Sequence, residues 1–229
     1  MKQPAQRLNF ENVIVNKPWG YEYLMYDNGE VSLWFLHIRN GQRTSLHCHP
    51  QKKTGIILLS GEAQVSFLND ARPLHPLGKL MIREGLFHST SALSPEGITV
   101  IETETPSNKT NLVRLDDEYG REEKPYEGQE AIAPLNETCI HLSDPAPGPV
   151  QPVLLAGCQL LMESAESAEA LTQRAPGDVM VILRGGLFSR QGDAVLSCGD
   201  VVASETASRL AKTFGAPEGI SFLVVRKEG

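Results

Sequence analysis

With 229 residues, 41% of them hydrophobic, the chain has apolar material for one large domain or two small ones. Its formal net charge of -7 excludes a broad electrostatic footprint for nucleic acid or a membrane surface, leaving only a local basic pocket. No apolar run reaches the length of a membrane span and MKQPAQRLNF lacks a signal core, so a cytoplasmic protein is expected. Cys48, Cys139, Cys158 and Cys198 form no CxxC pair and read as reduced thiols.

Residues 1–16 read as an entering arm. Lys17-Pro18-Trp19-Gly20-Tyr21-Glu22 is turn chemistry with an aromatic anchor, and the YEYLMY that follows is strand-like. Asp27-Asn28-Gly29 predicts a hairpin turn into the apolar strand 31–38, VSLWFLHI. Asn40-Gly41 then turns into residues 41–61, GQRTSLHCHPQKKTGIILLSG, where His47 and His49 lie one residue apart. Alternate side chains of a strand share a face, so both imidazoles point one way and Cys48 the other. Strands are also expected over 56–59, 63–68, 79–82 and 98–103, with a turn at Asn69-Asp70-Ala71-Arg72. Short strands at turn-separated intervals predict an antiparallel sandwich or small barrel.

The polar run DDEYGREE (116–123) ends this first unit, and LSDPAPGPVQP (142–152), with four prolines, reads as a linker. A short helix is expected within 160–174, LLMESAESAEALTQR. The later sequence then repeats the earlier. GIILLSG from Gly55 parallels VMVILRG from Val179; GKLMI from Gly78 parallels GDVVA from Gly199; SPEGITVIE from Ser94 parallels APEGISFLV from Ala216. Three blocks in one order at near-equal spacing predict a duplicated β-unit: a first domain at 1–125, a connector at 126–152 and a second domain at 153–229. The histidines are not duplicated. His47, His49 and His88 fall opposite roughly Leu171, Gln173 and Arg209, and no histidine follows His141.

Two same-face histidines on a strand make half a site for a divalent metal, and His88 in EGLFHST is the candidate third ligand. Three neutral imidazoles can hold Zn, Fe, Mn or Ni on one face and leave positions open for water or substrate. Glu84, beside the His88 turn, and Glu62 are candidate proton-transfer groups; the plainer reading of each is a solvated surface carboxylate. Arg39, Arg43, Lys52, Lys53 and Lys79 can form a phosphate-binding rim, or be charges at strand ends. Arg43 is the preferred contact, four residues before His47 and on its face by strand parity.

These residues resemble the cupins. Their first motif, G-x5-H-x-H-x(3,4)-E-x6-G, is matched by Gly41, His47, His49 and Gly61, with Thr54 where the family has its glutamate. The second is matched by Gly78, Gly85 and His88, with Arg83 in place of the proline and Ala92 in place of the asparagine. The first 125 residues look most like the type II mannose-6-phosphate isomerase branch. The resembling pieces are Lys17-Pro18-Trp19-Gly20-Tyr21, Thr44-Ser45-Leu46-His47, Leu59-Ser60-Gly61-Glu62-Ala63 and Leu115-Asp116-Asp117-Glu118-Tyr119-Gly120-Arg121. The resemblance implies an all-β bicupin: two tandem antiparallel β-barrels (jelly roll), the second degenerate. It implies a divalent metal at His47, His49 and His88, and a sugar or sugar-phosphate isomerase or epimerase of cell-surface carbohydrate metabolism. Arg43, Lys53, Thr54 and Arg83 would meet this small-molecule substrate, and a homodimer is expected. Without the glutamate, the metal's charge stands uncompensated and favours an anionic substrate. Two other readings stay open: a non-catalytic carbohydrate-binding cupin, and a three-histidine Fe(II) dioxygenase, toward which Thr54 points.

Overall fold

The computed structural model describes residues 10–123, 126–148 and 150–229; the proposed entering arm before Phe10 lies outside them. The chain runs β1 (Val13–Lys17), β2 (Gly20–Asp27), β3 (Ser32–Ile38), β4 (Leu46–Cys48), β5 (Lys53–Ser60) and β6 (Ala63–Phe67). Next come β7 (Ala71–Leu74), β8 (Lys79–Ile82), β9 (His88–Ala92), β10 (Ile98–Thr105) and β11 (Val113–Asp116). The later part holds β12 (Ile132–Pro134), β13 (Val153–Leu155), β14 (Cys158–Ala165), β15 (Val179–Phe188) and β16 (Ala194–Ser197). β17 (Val201–Ala203), α1 (Ser204–Ala211) and β18 (Ile220–Lys227) close the chain.

Strands β3 to β10 make a jelly roll. One sheet carries the order β3-β10-β5-β8 and the other β4-β9-β6-β7, all antiparallel. β2, β1 and β12 extend the first sheet and β11 the second, so both end in free edges and, among the described residues, neither closes into a barrel. β12 belongs to the proline-rich connector, yet pairs Ile132, Ala133 and Pro134 with β1.

The later sequence repeats the first of these two sheets and, of the second, the β6-β7 hairpin, as the end of β15 with β16. Its order β14-β18-β15, with β17 on the far side of β15, matches β3-β10-β5-β8 strand for strand. The sequence positions of β4 and β9 are taken by a 3-10 turn (Ala168–Leu171) and by α1. The expected helix within 160–174 shrinks to that turn, because residues 158–165 alternate as a strand that buries Cys158, Leu160 and Met162. α1 has no counterpart among the expected elements. A shared glycine contact supports the duplication. Gly61 and Gly185 both have positive φ, and a Cβ on either would lie 2.6 and 2.4 Å from the carbonyls of Gly97 and Gly219.

Strand parity sorts the interior into three cores. Trp34, Leu36, Ile56, Leu58, Ile98 and Val100 fill the jelly roll. Their neighbours Leu33, Phe35, Ile57, Leu59 and Ile101 face the opposite way, onto Leu160, Val179, Val181, Leu223 and Val225 of the second unit. Behind these, Met180, Ile182, Phe222 and Val224 pack on Leu171 and Ala207.

Candidate metal centre

β4 and β9 pair through a single register position, His47 opposite His88, and His49 follows two residues after His47 on the same face. The ring centroids lie 4.5 Å apart for His47 and His88, 4.9 Å for His47 and His49, and 5.7 Å for His49 and His88. One ligand nitrogen from each falls within 4.8 Å of the other two. Every Nδ1 meets a backbone carbonyl: Ser45 at 2.8 Å, Asn111 at 2.7 Å and Leu86 at 3.0 Å. A carbonyl only accepts, so Nδ1 carries the proton and Nε2 keeps its lone pair. His49 Nε2 and His88 Nε2 are buried and have no hydrogen-bond partner among the described residues.

Burial also keeps these rings neutral. It lowers His49 to about 3 and His88 to about 4, and holds His47 well below the usual range, each ring further lowered by neighbouring positive charge. Neutral, oriented imidazoles with bare, converging nitrogens fit a divalent cation.

No family model and no curated protein matches the chain. Solved structures match parts of it. KdgF from Halomonas sp. aligns at 15% identity over 40% of this chain and 84% of its own, with a TM-score of 0.38. A double-stranded beta-helix protein of Klebsiella pneumoniae aligns at 16% over 44% and 89%, with 0.41. CapF, a capsular polysaccharide assembling protein of Staphylococcus aureus, aligns at 16% over 45% and 34%, with 0.42. The strand order of β3 to β10 is that of a double-stranded jelly roll, with the paired histidines on β4 and the third on β9. Residues 32–105 have the cupin fold.

The cupin interior beside the histidines is a cavity of about 50 Å³, room for a few waters. Its wall is a charged lattice. Glu104 Oε1 accepts from Lys52 at 2.8 Å and Lys109 at 3.1 Å. Glu22 takes Lys109 at 3.1 Å and Lys17 at 3.5 Å, and accepts from the Tyr126 hydroxyl. Arg121 joins Asp117 and Glu127, each at 2.7 Å. Burial alone would raise Glu104 and lower Lys109. Their mutual attraction, with Lys52 and Glu22 adding to it, instead drives Glu104 down and Lys109 up. Glu102 also lines the cavity, and its carboxyl has no hydrogen bond or ion pair among the described residues. Burial pushes it up to about 7 against the pull of Lys109.

The predicted site residues divide. His47, His49 and His88 come together, and Thr54 is fully buried, its hydroxyl without a partner among the described residues. Lys52 turns into the lattice rather than onto a rim. Arg43 does not share the histidines' face. The backbone between it and His47 is irregular, so strand parity does not carry across, and its guanidinium meets Asp116 at 3.3 Å and Glu118 at 2.9 Å. Lys53 reaches the second unit, to Asp200 at 2.7 Å and Ser197 at 3.0 Å. Arg83, Glu84 and Glu62 are exposed, and none lines this cavity. Sequence reasoning missed Lys17, Glu22, Glu102, Glu104, Lys109 and Tyr126. For two of them the signal was available. In ITVIETET, period-two alternation puts Glu102 and Glu104 on the buried face of Ile98 and Val100.

Proposed function

We propose that the protein is a metal-dependent isomerase or epimerase that moves a proton within a sugar or sugar-phosphate substrate. One observation carries this reading: His47 and His49, neutral and converging with His88, line one cavity with Glu102, a carboxyl that burial raises to about 7. A divalent cation held by His47, His49 and His88 would supply Lewis acidity toward a carbonyl and its neighbouring hydroxyl oxygen. Glu102 takes the proton from carbon and returns it, and a carboxyl titrating near 7 serves both directions. Lys17, Lys52 and Lys109 set a positive wall for an oxyanion. The cavity holds only the reacting end of an open-chain sugar, with the phosphate left at the mouth. In this reading residues 1–125 carry the chemistry, 126–152 connect, and 153–229 brace the sheet β3-β10-β5-β8 from behind.

The test is a panel of aldose and ketose phosphates incubated with metal-loaded protein in deuterated water. Interconversion with deuterium at the carbon next to the carbonyl is expected, falling roughly 10²–10⁴-fold in Glu102→Gln. No turnover by protein that demonstrably holds metal would sink the reading. Oxygen consumption confined to the iron-loaded form would replace it with the dioxygenase. Carbohydrate binding indifferent to His47→Ala would leave a binding module.

A further inference from the structure

Among the described residues, several buried side-chain atoms on or beside the strands that form the histidine cluster and its wall have no hydrogen-bond partner, and four of them matter here. They are His49 Nε2, His88 Nε2, Thr54 Oγ1 and Glu104 Oε2. Buried polar atoms left open in a folded chain call for an unseen partner, water or an ion. Thr54 on β5 and Glu104 on β10 are direct cross-strand partners. Glu104 is 1% exposed and uses only one oxygen, its Oε1 fixed between Lys52 and Lys109. Glu104, His47 and His49 line the same cavity.

The second unit shows the same place closed. By the repeat of GIILLSG in VMVILRG, Thr54 corresponds to Asp178; by that of SPEGITVIE in APEGISFLV, Glu104 corresponds to Arg226. There Arg226 donates to Asp178 at 2.6 Å and 3.0 Å, and the pair satisfies itself. In the first unit the acid stands on the other strand, opposite the hydroxyl residue Thr54, and keeps an oxygen free on a residue of the cavity that His47 and His49 line.

We propose that Glu104 supplies the negative charge of the cation site, its Oε2 accepting a hydrogen bond from a water on the metal, in place of a carboxylate at position 54. This rests on the reading that His47, His49 and His88 hold a divalent cation. Among the described residues, only the nitrogens of His47, His49 and His88 lie close enough together to share the ion directly. Glu104 therefore acts from the next layer, and its two lysines hold it still while partly offsetting its charge.

The experiment strips the full-length protein with chelator and titrates it with Co²⁺, following heat and the visible spectrum. Glu104→Gln is expected to weaken Co²⁺ binding roughly 10–100-fold and to shift the visible band. Equal affinity with an unchanged band overturns the role of Glu104, and so does weaker binding with an unchanged band, which a general charge effect would give. If the wild-type protein takes up no Co²⁺, the metal reading itself falls. Should Glu104→Gln fail to fold, Glu104→Asp decides, since it keeps the charge for the lysines but withdraws Oε2. Loss of affinity then supports the proposal, and wild-type affinity overturns it.

Discussion

The two units share one sheet and a hairpin, β6-β7 in the first and the end of β15 with β16 in the second, and differ in the rest of what lies across that sheet. In the first, β4 and β9 face β3-β10-β5-β8 and bring histidines to a cavity walled by Lys17, Glu22, Lys52, Glu102, Glu104 and Lys109. In the second, a 3-10 turn and α1 cover β14-β18-β15-β17, and the space between is filled by Met180, Ile182, Leu187, Phe222 and Val224. The equivalent of Glu102 is Val224, each directly opposite a matching partner, Ile56 and Met180. A strand offers alternate side chains at fixed spacing to a facing sheet, so charges can be set opposite counter-charges. A short helix offers one stripe, here Ser204 and Ala207, suited to apolar closure. One sheet thus serves two ends: chemistry where it is faced by strands, support where it is capped by a helix.

The sharpest way to break this comparison is to exchange the equivalent residues. Val224→Glu puts a carboxyl among Met180, Ile182 and Phe222, with no lattice of lysines to meet it. The expected loss is about 3 kcal/mol or more at pH 7 by urea unfolding, shrinking toward pH 5 as the carboxyl takes up a proton. A variant as stable as wild type at both pH values would show that the second interior tolerates charge, and the contrast would go.

A smaller effect comes from removing the acid where it belongs. Burial raises Glu102 from 4.5 to about 7, so the folded state binds its proton more tightly than the unfolded state does. Its contribution to stability is complete below pH 4.5 and is lost as pH rises through 7. Across that window the metal-free wild type is expected to lose on the order of 3 kcal/mol that Glu102→Gln does not lose. Parallel stability–pH curves for the two would end Glu102's claim to a shifted, lone carboxyl.

The fold was legible because it is written in alternation and turns. Residues 31–38, 56–59 and 98–103 lie within β3, β5 and β10 or within one residue of their ends, and the three repeated blocks fall on matched strands of the two sheets. His47, His49 and His88 could be paired because a strand fixes their parity and a motif fixes their spacing. The lattice was hidden for a different reason. Glu22, Lys52 and Lys109 look like any solvated charge until their partners are known, and their partners sit on other strands or in the loop after β10. The helix α1 escaped because its eight residues, SETASRLA, carry too few apolar side chains for a period to show.

The smallest expected effect concerns Arg43, the sequence's preferred phosphate contact. Its guanidinium, 37% exposed, lies between Asp116 and Glu118, which are 59% and 52% exposed. Exposed pairs of this kind contribute about 0.2–1 kcal/mol and are screened by salt. Arg43→Ala should therefore shift the urea midpoint only slightly, and the shift should fade at high ionic strength. Co²⁺ affinity should not change, because the arginine does not line the cavity. A loss of several kcal/mol that survives salt would place Arg43 inside the buried lattice. The polar interior of the first unit would then run from the histidines to the surface, and the apolar, self-satisfied second unit would be the more unlike it.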